Sequence, residues 1–134
     1  MGRNISRELR INRTLLLENM HGNVSLMSAA LKGLIEAAAK VGPSGKQSTF
    51  ASRAYASYIL AERGSQQPRS LAVSFLKPVR GEDMLEEAIE RLEKTRENMN
   101  MTYGKCADAF KILNALQPEK KGCTLDELCT FVAK

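Results

Sequence analysis

The chain contains no tryptophan, one histidine and three cysteines among its 134 residues, and each scarcity removes a class of function. Without Trp, and with aromatics at 5%, the core must rest on Leu, Ile, Val, Met and Ala, a thinner core than usual for a domain of this length. His21 has no nucleophile motif near it, which argues against a hydrolase triad; beside Gly22 it suits an exposed turn, and the chain reads as a non-enzyme. Cys106, Cys123 and Cys129 are odd in number, form no C-x-x-C and lie far from His21. That is not the spacing of a zinc site. They read as free thiols of a reducing cytoplasm, and no metal or other cofactor is expected. The opening Met-Gly-Arg-Asn lacks the apolar stretch of a secretory leader, and no apolar run nears the ~20 residues of a membrane span. A cytoplasmic protein with no membrane partner is expected.

What remains is globular in composition, with 43% hydrophobic and 26% charged residues, and the length suits a single domain over 1–134. The formal charge is +5. Its distribution says more than its size. Residues 41–80 hold Lys46, Arg53, Arg63, Arg69, Lys77 and Arg80 against the single acid Glu62, whereas residues 81–100 hold seven acids against three bases. Positive charge is therefore concentrated where loops are expected.

Hydrophobic spacing predicts the elements. Residues 5–11 suit a poor edge strand or an extended lead-in, and Leu15-Leu16-Leu17 a short apolar turn. Asn23 is a candidate N-cap for an amphipathic helix over 24–40, whose stripe is Val24, Met27, Leu31, Leu34, Ile35 and Ala38. A polar loop over 42–50 follows. Residues 55–61 favour a buried strand, with a helix starting near Ser52 as the alternative. Leu71, Val73 and Phe75 alternate with Ala72, Ser74 and Leu76, which reads as a second strand over 70–76. A helix over 82–103 carries Leu85, Ile89, Leu92, Met99 and Tyr103, with Glu82 and Asp83 in its first turn. A shorter helix over 106–116 carries Phe110, Leu113 and Leu116. Thr124-Leu-Asp-Glu127 is a capping box that opens a last helix. Helix, strand, strand, helix and then a helical tail make a helix-rich α+β fold.

The loop Gly-Pro-Ser-Gly-Lys-Gln-Ser-Thr-Phe, 42–50, is the most informative segment. It lacks the spacing of a P-loop. Its small residues let a partner approach the backbone, Lys46 and Arg53 can neutralise phosphates, and Gln47, Ser48 and Thr49 can donate to phosphate oxygens. The competing reading is a solvated surface loop. Arg63, Arg69, Lys77 and Arg80 read as surface charge or as further phosphate contacts. Tyr55, Tyr58 and Phe50 suit either core packing or base stacking. The carboxylates of 82–97 read as a solvated helix face rather than an acid–base pair.

The run from Arg10-Ile-Asn-Arg-Thr-Leu-Leu-Leu-Glu-Asn, through the 42–56 segment ending Ala-Ser-Arg-Ala-Tyr-Ala, to Pro68-Arg-Ser-Leu-Ala-Val-Ser-Phe-Leu-Lys-Pro-Val resembles the C-terminal third of the type I-E CRISPR Cascade backbone subunit, the CasC family. The 82–103 helix ending in Tyr103-Gly104 also fits. The resemblance implies a partial RNA-recognition-motif-like domain with a C-terminal helical tail, without that subunit's early strand–helix region and thumb hairpin. It implies a guide-RNA-binding and assembly piece in antiviral defence, with CRISPR guide RNA and other Cascade backbone subunits as partners. It points to Gly45, Lys46, Gln47, Ser48 and Thr49 and to nearby bases for RNA or subunit contact. Residue chemistry adds Arg53, Arg69 and Lys77 to that set. The alternative is a truncated backbone mimic that binds Cascade subunits and blocks assembly, as an anti-CRISPR protein would.

Overall fold

A computed structural model describes residues 6–40 and 55–134. The fold is α+β and rich in helix. The described residues form two compact units, one comprising 11–40, 55–63 and 109–134, the other 6–10 and 64–108.

The first unit begins with two helices. Asn12 accepts the Leu15 N–H at 3.0 Å and starts α1, Arg13–Asn19, so the triple leucine expected to form a mere turn is helical. A left-handed turn at His21 and Gly22, φ 56° and 76°, ends it; Gly22 takes this conformation without a Cβ clash. Asn23 then accepts the Leu26 N–H at 3.0 Å and opens α2, Val24–Lys40, as the sequence predicts. Met27, Leu31, Ile35 and Ala39 fall one turn apart on its buried face.

That face packs on α5, Leu125–Ala133. Ile35, Leu128 and Cys129 form the core, flanked by Ile59, Ala61, Leu113, Cys123, Leu125 and Val132. Burial of a leucine such as Leu31 or Leu128 contributes roughly 2–3 kcal/mol. The capping box of α5 is complete: Thr124 Oγ1 accepts the Glu127 N–H at 3.1 Å, and Glu127 Oε1 accepts the Thr124 N–H at 2.9 Å.

Against this helix pair lie two antiparallel strands, β1 (Tyr58–Arg63) and β2 (Ala109–Asn114), in register from Tyr58↔Asn114 to Arg63↔Ala109. The helix expected over 106–116 is thus largely strand. A short helix gains little by itself because its first turn is costly to nucleate. As a strand, the same residues satisfy the backbone of β1 and bring Leu113 to the core. Asn114, buried, ends β2 by accepting the N–H groups of Leu116 and Gln117 at 3.0 and 3.3 Å. The single-turn helix α4, Pro118–Lys121, follows, and the Cys123 N–H returns to the Ile112 carbonyl at 2.9 Å.

In the second unit the strand expected over 70–76 is absent; Ala72–Phe75 is a 3-10 turn. Side chains take the N–H groups a strand partner would have used. Glu8 accepts from the Leu71 N–H at 2.7 Å and the Ser70 hydroxyl at 3.0 Å, and Ser70 Oγ accepts the Ala72 N–H at 3.1 Å. Such local bonds compete with sheet. Of the segment 5–11, read as an edge strand or an extended lead-in, the described residues 6–11 lie outside any helix or strand. The long helix α3, Met84–Tyr103, matches expectation, and its Ala88 and Ile89 are buried, as are Val79 and Cys106. Gly64 closes this unit: a Cβ there would lie 3.1 Å from Cys106 O and Asp108 N and 3.2 Å from the Ala107 Cα. Among the described residues, no helix is long and apolar enough to cross a membrane.

Gly64→Ala forces a methyl group against three backbone atoms and is expected to cost about 1–3 kcal/mol, whereas Gly33→Ala, in open space within α2, should gain about 0.5–1 kcal/mol. Urea unfolding reads both, and an unshifted midpoint for Gly64→Ala would contradict the close approach. The Glu127 carboxyl is held below its ordinary value of 4.5, chiefly by the Thr124 backbone N–H and also by the Thr124 hydroxyl and Lys111. A depressed folded-state value means stability that is complete above the unfolded value and lost as pH falls through the folded one. The midpoint of the wild type should therefore fall more steeply than that of Glu127→Gln as pH drops from about 6 to about 3.

Candidate nucleic-acid interface

The first unit presents a closed stem. The Ala56 N–H donates to the Ala39 carbonyl at 2.8 Å, joining the last turn of α2 to the lead into β1. On this stem the Lys40 ammonium sits 3.5 Å from Glu36 Oε1 and 5.9 Å from the centroid of the Tyr55 ring. The Glu36–Lys40 pair spans one turn of an exposed helix face and is worth about 0.3–0.5 kcal/mol. Between the two sides of the stem the chain runs through residues 41–54, which contain Lys46 and Arg53 and no acid. The sequence candidates Gly45, Lys46, Gln47, Ser48, Thr49 and Arg53, and the aromatic Phe50, lie outside the described residues. What the structure adds is the pair at their base, Lys40 and an exposed Tyr55. Tyr58, by contrast, is half-buried in β1.

Arg63 and Arg69 have structural partners that residue type alone did not reveal. Arg69, in the second unit, donates to Met99 O at 3.3 Å, Asn100 Oδ1 at 3.4 Å and Tyr103 O at 3.3 Å, with its guanidinium 5.8 Å from the Tyr103 ring centroid. Arg63, in the first unit, donates to Phe131 O at 2.8 Å and lies 4.6 Å from the Phe131 ring centroid. Neither α3 nor α5 has a basic residue in its last turn. Each instead receives an arginine from a distant part of the chain, which satisfies terminal carbonyls and meets the negative end of the helix dipole. The sequence signal was the lack of a basic residue within the last turn of each helix. Lys77 and Arg80 are exposed; the Lys77 carbonyl accepts from Arg91 at 2.6 Å.

Two of the three thiols are shifted away from their reactive form. Burial raises the Cys129 thiol above its ordinary value, and Glu36 and Asp126 raise it further. Burial likewise raises Cys123, with Glu127 adding to the effect. Both shifts disfavour the thiolate that nucleophilic attack requires. Among the described residues, no group of three or more His, Cys, Asp or Glu is gathered as for a metal ion.

The model of a family described as CT1975-like protein, a CRISPR-associated (Cas) family, matches residues 7–130. No curated protein matches the chain.

Arg69→Ala should lower stability by about 1–2 kcal/mol by leaving the end of α3 without its donor, and Arg69→Lys should not restore it, since one ammonium cannot span the same acceptors. Lys77→Ala should stay within about 0.5 kcal/mol of the wild type. Urea midpoints of the three variants decide between an arginine that holds a helix and one that merely sits on the surface.

Proposed function

Since the chain belongs to the CT1975-like family of CRISPR-associated proteins, we propose that it serves in a CRISPR assembly as a guide-RNA-holding and assembly piece of the backbone, of the type I-E Cascade kind that its sequence resembles. The role is one of binding in the cytoplasm, not catalysis, and its partners are guide RNA and other backbone subunits. The observation that carries the reading is the closed stem of Ala39 and Ala56, from which the chain extends an acid-free segment bearing Lys46 and Arg53. A strand of phosphates favours such a segment, because each cation releases condensed counterions on binding. Gly45 lets the strand approach the backbone, and Gln47, Ser48 and Thr49 supply neutral donors to phosphate oxygens. Lys77, in the second unit, is an exposed cation that can contact phosphate by itself. Arg69 is engaged with α3 and is not a free donor. Engaged with phosphates, these groups do not read base identity, which suits a protein that must hold guides of any sequence.

Filter binding of the full chain to a single-stranded guide RNA should show affinity that falls steeply with salt. Lys46→Ala should weaken binding to all sequences alike and reduce the salt slope by about one contact. A salt-independent interaction, or a slope unmoved by Lys46→Ala, would contradict the phosphate reading. Capture of a full-length backbone subunit with no RNA bound would replace it with the assembly-blocking mimic.

A further inference from the structure

Both described residues whose aromatic rings are most exposed, Tyr55 at 68% and Tyr103 at 71%, stand beside a cation, Lys40 and Arg69 respectively. Their surroundings differ in ways that matter. Tyr103 stands at the C-terminal end of α3, the negative end of the helix dipole, and its partner Arg69 is occupied with helix carbonyls. Tyr55 stands on the stem of an acid-free segment. The Lys40 ammonium lies over its ring at 5.9 Å, and at 68% exposure the residue keeps ring surface for a flat partner. The Lys40 charge is itself offset by Glu36 at 3.5 Å, so what the stem offers is a π surface rather than net charge.

Resting on the guide-RNA reading above, we propose that the Tyr55 ring is a stacking platform for one unpaired base of the bound strand, contributing affinity that is independent of salt and selective for single strands over duplex. Aromatic faces stack on any base, so the contact adds affinity without adding sequence preference. A base inside a duplex is already stacked on both sides and cannot use the ring. The ring takes no part in the core clusters of either unit, so replacing it leaves the fold intact.

The test uses the full chain with three probes of equal length: a single-stranded oligouridylate, the same ribose-phosphate strand without bases, and a duplex RNA. Tyr55→Leu should bind the oligouridylate about tenfold more weakly than wild type, with an unchanged salt slope, and should match wild type on the baseless strand and the duplex. Tyr55→Phe should retain wild-type affinity. Tyr103→Leu should leave oligouridylate binding unchanged, and urea midpoints verify that each variant is folded. Equal binding of oligouridylate by Tyr55→Leu and wild type, or an equal loss on the baseless strand, overturns the stacking role while leaving the phosphate reading in place. A wild type that binds none of the three probes overturns both.

Discussion

The ladder between β1 and β2 is the interaction on which the rest of the structure depends. Its strands are far apart in sequence: the whole segment from Gly64 to Asp108 leaves at Arg63 and returns at Ala109, its direct partner. Closing so long a loop costs entropy, though the cost rises only slowly with length. Six backbone pairs cannot be expected to offset it alone, because a two-stranded ribbon is marginal in water. Ile59, Ala61 and Leu113 offset it by joining Ile35, Leu128 and Cys129 in one core. The ladder therefore makes the α2–α5 core possible, and that core in turn holds the ladder in register. Gly64 matters for the same reason, since the returning backbone passes within 3.1 Å of where its Cβ would stand.

The ladder also sets up the candidate interface. Tyr58 starts β1 as a half-buried residue, so Tyr55 falls just before the strand, on the exposed side of a stem that the Ala56–Ala39 hydrogen bond closes. The fold thus anchors both ends of a polar, positively charged segment. Charges divide by role. Two arginines complete the ends of helices that carry no base of their own in the last turn, while Lys77 is exposed. Planar arginine suits the first task because its fork serves several acceptors at once.

Where sequence periodicity was long it was informative. The stripe of Met27, Leu31 and Ile35 and the stripe around Ile89 each span several turns, and the helices α2 and α3 followed closely. The caps at Asn23 and Thr124 were legible because they act within three residues. Short apolar runs were ambiguous in both directions. Phe110 and Leu113 read as part of a short helix, but pairing with β1 made them strand; Leu71 to Leu76 alternates like a strand, but Glu8 and Ser70 took its N–H groups. No local pattern announces that Glu8 will meet Leu71. The role of Arg69 was hidden in the same way, since its acceptors lie thirty or more positions onward.

The sequence by itself determined the helix-rich α+β class, the positions of the long helices, the caps at Asn23 and Thr124, and the clustering of positive charge around a glycine-containing segment. These follow from interactions within a few residues, where propensity, capping and periodicity act. The tertiary structure alone decided that 109–114 is a strand, that 72–75 turns instead of extending, that Arg63 and Arg69 serve helix ends, and that Tyr55 rather than Tyr58 faces solvent. Each of those outcomes depends on a partner distant in sequence, and the free energy of such a contact exists only once the chain has brought the two ends together.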